Sequence, residues 1–412
     1  ASLILAPMYI AEISPPHMRG RMVSFNQLNI VIGISVAFFT NYLILQLGQS
    51  DAAWAKSLKL SEYNWRWMLG LELLPAVLFY WGLFMVPKSP RWLVMKGQTD
   101  QALSIMKKFT DIEDAEKQIQ DAIKSLYEED KKQQAGLTEF FKPAYRKVLV
   151  IGIVIAVLQQ ITGINSVFFY APMIFEQSGI GTDAAFIQAI LVGLTNLVFT
   201  ILAILFIDRL GRRPLLIGGL FGIAVSMGVL AYGFGNANYT LTGQSIQNLP
   251  AEIPTDKLNS MLNVEYKNDV AFKNAIRETL GDKLAITYES NLITAAIQMN
   301  PMLILLGILG FVASFAISIG PVMWVLFSEL FPLYIKGAAI SFVGFINSGI
   351  SYIVQQFFPW QLDTFGSSIT FLIYGAFAAA GLIFILLAVP ETKNKSLEEL
   401  EALLVKRTES DK

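Results

Sequence analysis

Apolar runs recur along the chain at about 1–13, 24–47, 67–86, 148–175, 184–207, 215–236, 301–328, 338–360 and 367–390. A helix rises 1.5 Å per residue, so about 20 apolar residues cross ~30 Å of hydrocarbon. All runs but the first reach or approach that length and predict whole membrane-crossing helices. The first, about 13 residues, reads as part of one. Two stretches interrupt the pattern. In 88–147 charge is dense and apolar residues fall at helical spacing (Ala102, Ile105, Met106, Phe109, then Ile119, Ile123, Leu126), which predicts short amphipathic helices. Residues 237–300 are polar, are divided by Pro250 and Pro254, and carry only weak helical patterning.

Charge orients the spans. Basic residues follow the first, third, fifth, seventh and last runs (Arg19 and Arg21, Lys88 and Arg91, Arg209 to Arg213, Lys336, Lys393 and Lys395). The short loops 176–183 and 361–366 carry none, whereas 48–66 is a modest exception. Basic ends face the cytoplasm, so the C-terminus is expected inside, in a plasma (bacterial inner) membrane, with 237–300 on the opposite side. The bilayer is then the chain's medium. Composition agrees: 54% of residues are hydrophobic and only 15% charged. The net charge of −1 argues against a nucleic-acid partner. Without cysteine and with a single histidine, His17, thiol chemistry and a histidine-based metal site are not expected. No cofactor, metal or catalytic set is predicted. The chain begins inside an apolar run, at Ala1-Ser2-Leu3-Ile4-Leu5, and reads as part of a longer protein.

An internal repeat supports this. Glu12, Pro15, Arg19, Gly20, Ser24 and Phe25 share their spacing with Glu329, Pro332, Lys336, Gly337, Ser341 and Phe342. Each set closes a span at its cytoplasmic end. Two halves of like topology follow. The second half has six spans from 148 to 390; the first shows its last two and part of its fourth, so twelve are expected in the parent. Charges at membrane depth tend to be paired. Glu12, Arg19, Asp208, Arg209, Arg212, Glu329 and Lys336 therefore predict either a cytoplasmic latch between the halves or charges that only fix topology.

The run at 148–175 holds Gln159, Gln160 and Asn165 where lipid would favour leucine. Amides there either glue helices together or line a cavity for a polar, uncharged ligand. An amide offers one acceptor and two donors, so it matches a hydroxyl of either polarity without burying charge. At 100° per residue an ideal helix scatters these three side chains. Either the helix breaks near Gly163 or not all three face one ligand. Glu72 is a lone carboxylate among apolar residues, placed to carry a proton or to bond a neighbour such as Arg66.

Several motifs together resemble the sugar porters of the major facilitator superfamily. They are Pro7-Met8-Tyr9-Ile10-Ala11-Glu12 with Arg19-Gly20, Pro87-Lys88-Ser89-Pro90-Arg91-Trp92, Gln159 to Asn165, Asp208 to Arg213, and Pro390-Glu391-Thr392-Lys393. Ser24-Phe25-Asn26-Gln27 and Ser396 to Glu401 are most similar to the bacterial proton-linked xylose carriers. The resemblance implies an all-α membrane protein of two pseudo-symmetric six-helix halves, the first incomplete. Residues 1–87 would be the partial first half, 88–147 cytoplasmic helices, 148–390 the second half with its 237–300 insertion, and 391–412 a cytoplasmic tail. It implies transport of a monosaccharide, xylose or a hexose such as glucose, by alternating access with proton symport. A sugar or polyol uniporter and a sugar-sensing receptor are the alternatives.

In such porters Gln159, Gln160, Asn165 and Asn196 would bind the sugar from the second half and Gln27 from the first, with Trp324 against the ring. Asn347-Ser348 stands where the family has Gln-Trp, implying a roomier pocket. Phe169, followed by Tyr170, stands where xylose carriers have tyrosine. Lys88 and Lys336 replace a usual Glu and Arg in the charge network, which also takes in Arg91. The family's main proton carboxylate lies upstream of this chain, leaving Glu72 as the candidate. The working form is expected to be a monomer.

Overall fold

The computed structural model describes residues 6, 9–10, 13–14, 19–108, 145–180, 182–247, 249–250, 252–331 and 336–393, with scattered positions between 111 and 123. Glu12, Leu126 and the motif from Ser396 to Glu401 lie outside the described residues.

In chain order the helices are α1 (Arg19–Gly48), α2 (Ala53–Ser57), α3 (Asn64–Gly70), α4 (Leu73–Leu83), α5 (Pro90–Met95) and α6 (Thr99–Met106). There follow α7 (Arg146–Ile161), α8 (Ile164–Phe169), α9 (Ala171–Glu176), α10 (Thr182–Leu210) and α11 (Arg212–Gly235). An insertion comes next, with β1 (Asn238–Thr240), β2 (Glu265–Tyr266), α12 (Asp269–Leu280), α13 (Asp282–Ala296) and β3 (Ile297–Gln298). The chain closes with α14 (Pro301–Ile317), α15 (Ile319–Leu330) and α16 (Lys336–Ala388).

Among the described residues six helical stretches are long and apolar enough to cross a membrane. Two differences from the apolar runs account for the smaller number. The run at 67–86 is not one helix but α3 and α4, broken at Leu71 and Glu72. Pro75 explains the break: it has no N–H for the Leu71 carbonyl four residues back, which takes the Leu74 N–H at 3.1 Å instead. Conversely, 338–360 and 367–390 join in α16. Its apolar stretch of 52 residues would extend about 78 Å if straight, far more than one crossing needs. Gly366, at φ 79° and ψ 168°, is the joint between two spans.

The chain divides into two compact units. Unit 1 comprises Ala1–Gly152, Trp324–Gly344 and Asn394–Lys412; unit 2 comprises Ile153–Met323 and Phe345–Lys393. In unit 1 the charged stretch after Pro87 forms α5 and α6 where it is described. Ser89 caps α5 by accepting the Trp92 N–H at 3.2 Å, and Pro90 opens the helix. Leu93, Ala102, Met106, Ala115 and Ile119 form a small core beneath these helices.

In unit 2, α11 and α14 pack closely because small residues face one another. Gly219 and Gly222 lie against Ser314 and Ser318, and Gly310 lies against Ser226. In lipid no hydrophobic effect drives helices together, so close backbone approach of this kind supplies the attraction.

The insertion is a folded subdomain, where the sequence offered only weak patterning. Its sheet runs β2-β1-β3 with both pairings antiparallel. Tyr239 stacks on Phe272 at 5.5 Å over a core that includes Leu241, Leu258, Met261, Ile276 and Leu292. Burial, with the Asp269 charge nearby, pushes the Tyr239 phenol up from its ordinary range. Lys273 is buried and pairs with Glu289 at 2.8 Å. The subdomain is tied to the joint in α16: Arg277 donates to both Asp363 oxygens at 2.8 and 3.0 Å. That hydrogen bond, the largest effect, holds the Arg277 guanidinium above its usual range. Asp269 accepts the Ser367 N–H at 2.8 Å and the Ser367 hydroxyl at 2.9 Å, capping the helix that starts there. On the other side Ser290 donates to Glu176 at 2.9 Å.

Candidate functional site

The amides of the 148–175 run meet because their helix breaks. α7 ends at Ile161, Gly163 takes a left-handed conformation at φ 87° and ψ 14°, and α8 begins at Ile164. Of the two alternatives left by helix geometry, the break is the one realised. Asn165 Nδ2 donates to Gln160 Oε1 at 2.8 Å. Gln160 Nε2 donates to Gln159 Oε1 at 3.2 Å and to Asn347 Oδ1 at 3.0 Å. Asn347 Nδ2 returns to Gln159 Oε1 at 2.8 Å and to the Ala156 carbonyl at 2.9 Å. Gln159 Nε2 reaches the Gly320 carbonyl at 3.3 Å. Gln159, Gln160 and Asn347 are all buried.

Asn347 thus belongs to the network. It also brings two residues the sequence reading missed. Ser351 Oγ accepts from Asn165 Nδ2 and from Gln355 Nε2, both at 2.8 Å. Asn347, Ser351 and Gln355 follow one another at intervals of four residues, one face of α16. That periodicity of polar residues in an apolar helix was the available signal. The result is a neutral cluster of amides and a hydroxyl, rich in both donors and acceptors.

Other expected site residues stand apart from it. Asn196, on α10, is buried, with no hydrogen bond to the cluster among the described residues. Phe169, at the end of α8, is 66% exposed on its unit, whereas the adjacent Tyr170 ring meets Phe358 at 5.2 Å. Gln27, half-buried on α1, and Trp324, whose ring lies 6.1 Å from Phe327, belong to unit 1. So does Glu72, which is exposed on that unit at the α3–α4 break. Arg66 does not pair with it; its guanidinium lies over the Tyr63 and Trp65 rings at 4.5 and 5.0 Å.

Of the charge network, Glu329 is half-buried on α15, and the side chains of Arg19, Arg91 and Lys336 lie outside the described residues. Within unit 2 the loop after α10 has a local arrangement. Arg212 pairs with Asp208 at 3.0 Å. Glu391, quoted in a motif but not expected in the network, accepts the Arg212 and Arg213 backbone N–H groups at 3.1 Å each. It caps α11 as a carboxylate favours at a helix N-terminus. A Cβ at Gly211, φ 96°, would meet Glu391 Oε2 at 2.7 Å, so glycine is needed on both counts. Lys393 Nζ donates to the Arg209 carbonyl at 2.6 Å.

Among the described residues no three His, Asp or Glu side chains come together to hold a metal ion. The cluster can exchange hydrogen bonds with a polar neutral molecule.

Known proteins share this arrangement of helices. The family described as "Sugar (and other) transporter" matches residues 1–249 and 283–404. The stretch left out of that match falls within the insertion. A D-xylose-proton symporter of Escherichia coli (strain K12) is 35% identical over 406 residues, 97% of this chain and 68% of that protein. An arabinose-proton symporter of Bacillus subtilis (strain 168) is 32% identical over 402 residues, 98% of this chain and 72% of the relative. A solved structure of an MFS proton:xylose symporter bound to 6-bromo-6-deoxy-D-glucose aligns with TM-score 0.68 at 34% identity, over 98% of this chain and 71% of its own.

Proposed function

The chain belongs to the sugar (and other) transporter family, and from that premise we propose that it moves a monosaccharide across the plasma membrane by alternating access, with proton symport. As a member of that family it is a membrane transporter and not an enzyme. The observation that carries the reading is the buried network of Gln159, Gln160, Asn165 and Asn347. Its groups are neutral, so a sugar can replace amide–amide hydrogen bonds by amide–hydroxyl ones at little net cost. Each such bond contributes only about 1 kcal/mol net. That suits a carrier, which must release what it binds.

Gln27, Asn196 and Trp324 are proposed to complete the sugar site from their own helices, with Phe169 and Tyr170 at its edge. Xylose and glucose are both candidate cargoes. The relatives named as pentose–proton symporters favour the first, and a relative that holds a bromo-deoxyglucose favours the second. Glu72 is the proposed proton carrier within this chain. Glu12, Arg19, Arg91, Asp208, Arg209, Arg212, Glu329 and Lys336 are proposed as the cytoplasmic latch. Twelve spans in two halves are proposed from the internal repeat, the cytoplasmic C-terminus from the basic loops, and a monomer as the working form.

Uptake of labelled xylose and glucose by the protein in liposomes tests the reading. Accumulation driven by a pH gradient is expected, and simple equilibration would replace symport by uniport. Gln160→Ala should weaken sugar binding by about ten-fold or more, since it removes two donors and an acceptor from the cluster. Unchanged affinity in that variant would sink the site.

A further inference from the structure

We infer that Tyr374 is a positioning residue of the amide cluster: its ring holds the break at Gly163 that lets Gln160 and Asn165 meet. The inference rests on the reading of that cluster as the sugar site.

Five residues along an unbroken helix turn the chain by about 500°, so side chains at 160 and 165 would point about 140° apart. Yet Asn165 Nδ2 lies 2.8 Å from Gln160 Oε1. The left-handed turn at Gly163 makes the difference. Against that glycine lies Tyr374: a Cβ built at Gly163 would stand 2.6 Å from Tyr374 Cδ2 and 2.7 Å from Cε2. The ring fills the space where any other residue would carry a side chain.

The ring itself is fixed. It is 2% exposed, and its hydroxyl donates to Gln361 Oε1 at 2.9 Å. Its face stacks on Phe358, centroids 6.3 Å apart at 18°. Phe358 in turn meets Tyr170, the residue just past α8, at 5.2 Å. These three rings therefore bracket α8 at both ends, at Gly163 and at Tyr170, and α8 carries Asn165. Phe358 and Tyr374 come from the two halves of α16 on either side of Gly366, and the partners of Asn165 are Gln160 from α7 and Ser351 from the first half of α16. A shift of α8 would separate Asn165 from both partners without removing a single polar group.

The test measures sugar affinity by calorimetry and thermal stability together, in Tyr374→Phe, Tyr374→Leu and Tyr374→Met, with xylose and glucose as probes. The ring is what positions, so Tyr374→Phe should bind within about three-fold of the unmodified protein, and leucine about ten-fold or more weaker. Methionine serves the same comparison should leucine fail to fold. The leucine loss should vanish in an Asn165→Ala background, because Tyr374 acts through Asn165; coupling between the two sites is the outcome a purely structural role would not produce. A folded leucine or methionine variant with unmodified affinity would overturn the inference. So would losses that simply add, or a phenylalanine variant as weak as leucine. If the unmodified protein binds neither sugar, the failure belongs to the reading of the site and not to Tyr374.

Discussion

Unit 2 contains two polar regions built on opposite principles. The cluster around Gln159, Gln160, Asn165 and Asn347 uses neutral groups alone, amides and one hydroxyl. The seam between the insertion and the α16 joint uses charge: Arg277 with Asp363, Asp269 with Ser367, and Lys273 with Glu289 behind them. Neutral hydrogen bonds exchange partners at little net cost, whereas bonds to ionised groups are roughly twice as strong. A hydroxyl-bearing cargo can enter the first region. No neutral molecule can replace a carboxylate facing a guanidinium in the second. The difference separates a place made to exchange partners from one made to keep them.

That contrast can be broken or sharpened by substitution. The largest effect on stability is expected from Glu289→Ala, which leaves Lys273 buried and unpaired; breaking such a pair costs about 3–5 kcal/mol. Thermal or denaturant unfolding should show the loss, while sugar affinity in the folded protein stays unchanged. Gln160→Ala should do the reverse, with affinity falling as stated above and stability changing less. Asp269→Ala removes the cap at Ser367 and should cost about 0.5–2 kcal/mol of stability, again without touching affinity. Arg277→Ala should cost least. Its pair with Asp363 has side-chain exposures of 30% and 42%, so solvent screens it and about 1 kcal/mol or less is expected. That small loss should shrink further at high salt, a dependence the amide cluster should not show. A salt-sensitive sugar affinity would erase the distinction between the two regions.

The same two regions differ in how far they can be read from the sequence. Amides in an apolar run announce themselves, because lipid offers them no partner. Gln159, Gln160 and Asn165 were legible for that reason, and a break near Gly163 stood as one of two alternatives between which the structure decides. Ser351 and Gln355 were less visible; they carry no charge and lie in a run that reads as one more span. Their four-residue spacing from Asn347 becomes meaningful once that helix is known to face the amides. The insertion was not legible. Its strands are two or three residues long, too short for alternation to register. Lys273 reads as a surface charge because its partner, Glu289, comes from another helix. The interrupted run at 67–86 is a middle case: its length predicts one crossing, and the break ahead of Pro75 shows only in the structure.

Gly366 joins the last two spans without a loop. A connection of one residue has no slack. The helix face that carries Asn347 and Ser351 and the one that carries Tyr374 are geared through it, and Asp269 holds the gear from outside. One residue inserted at that joint would turn the second helix by about 100° relative to the first, and Tyr374 would leave Gly163 although neither residue had changed.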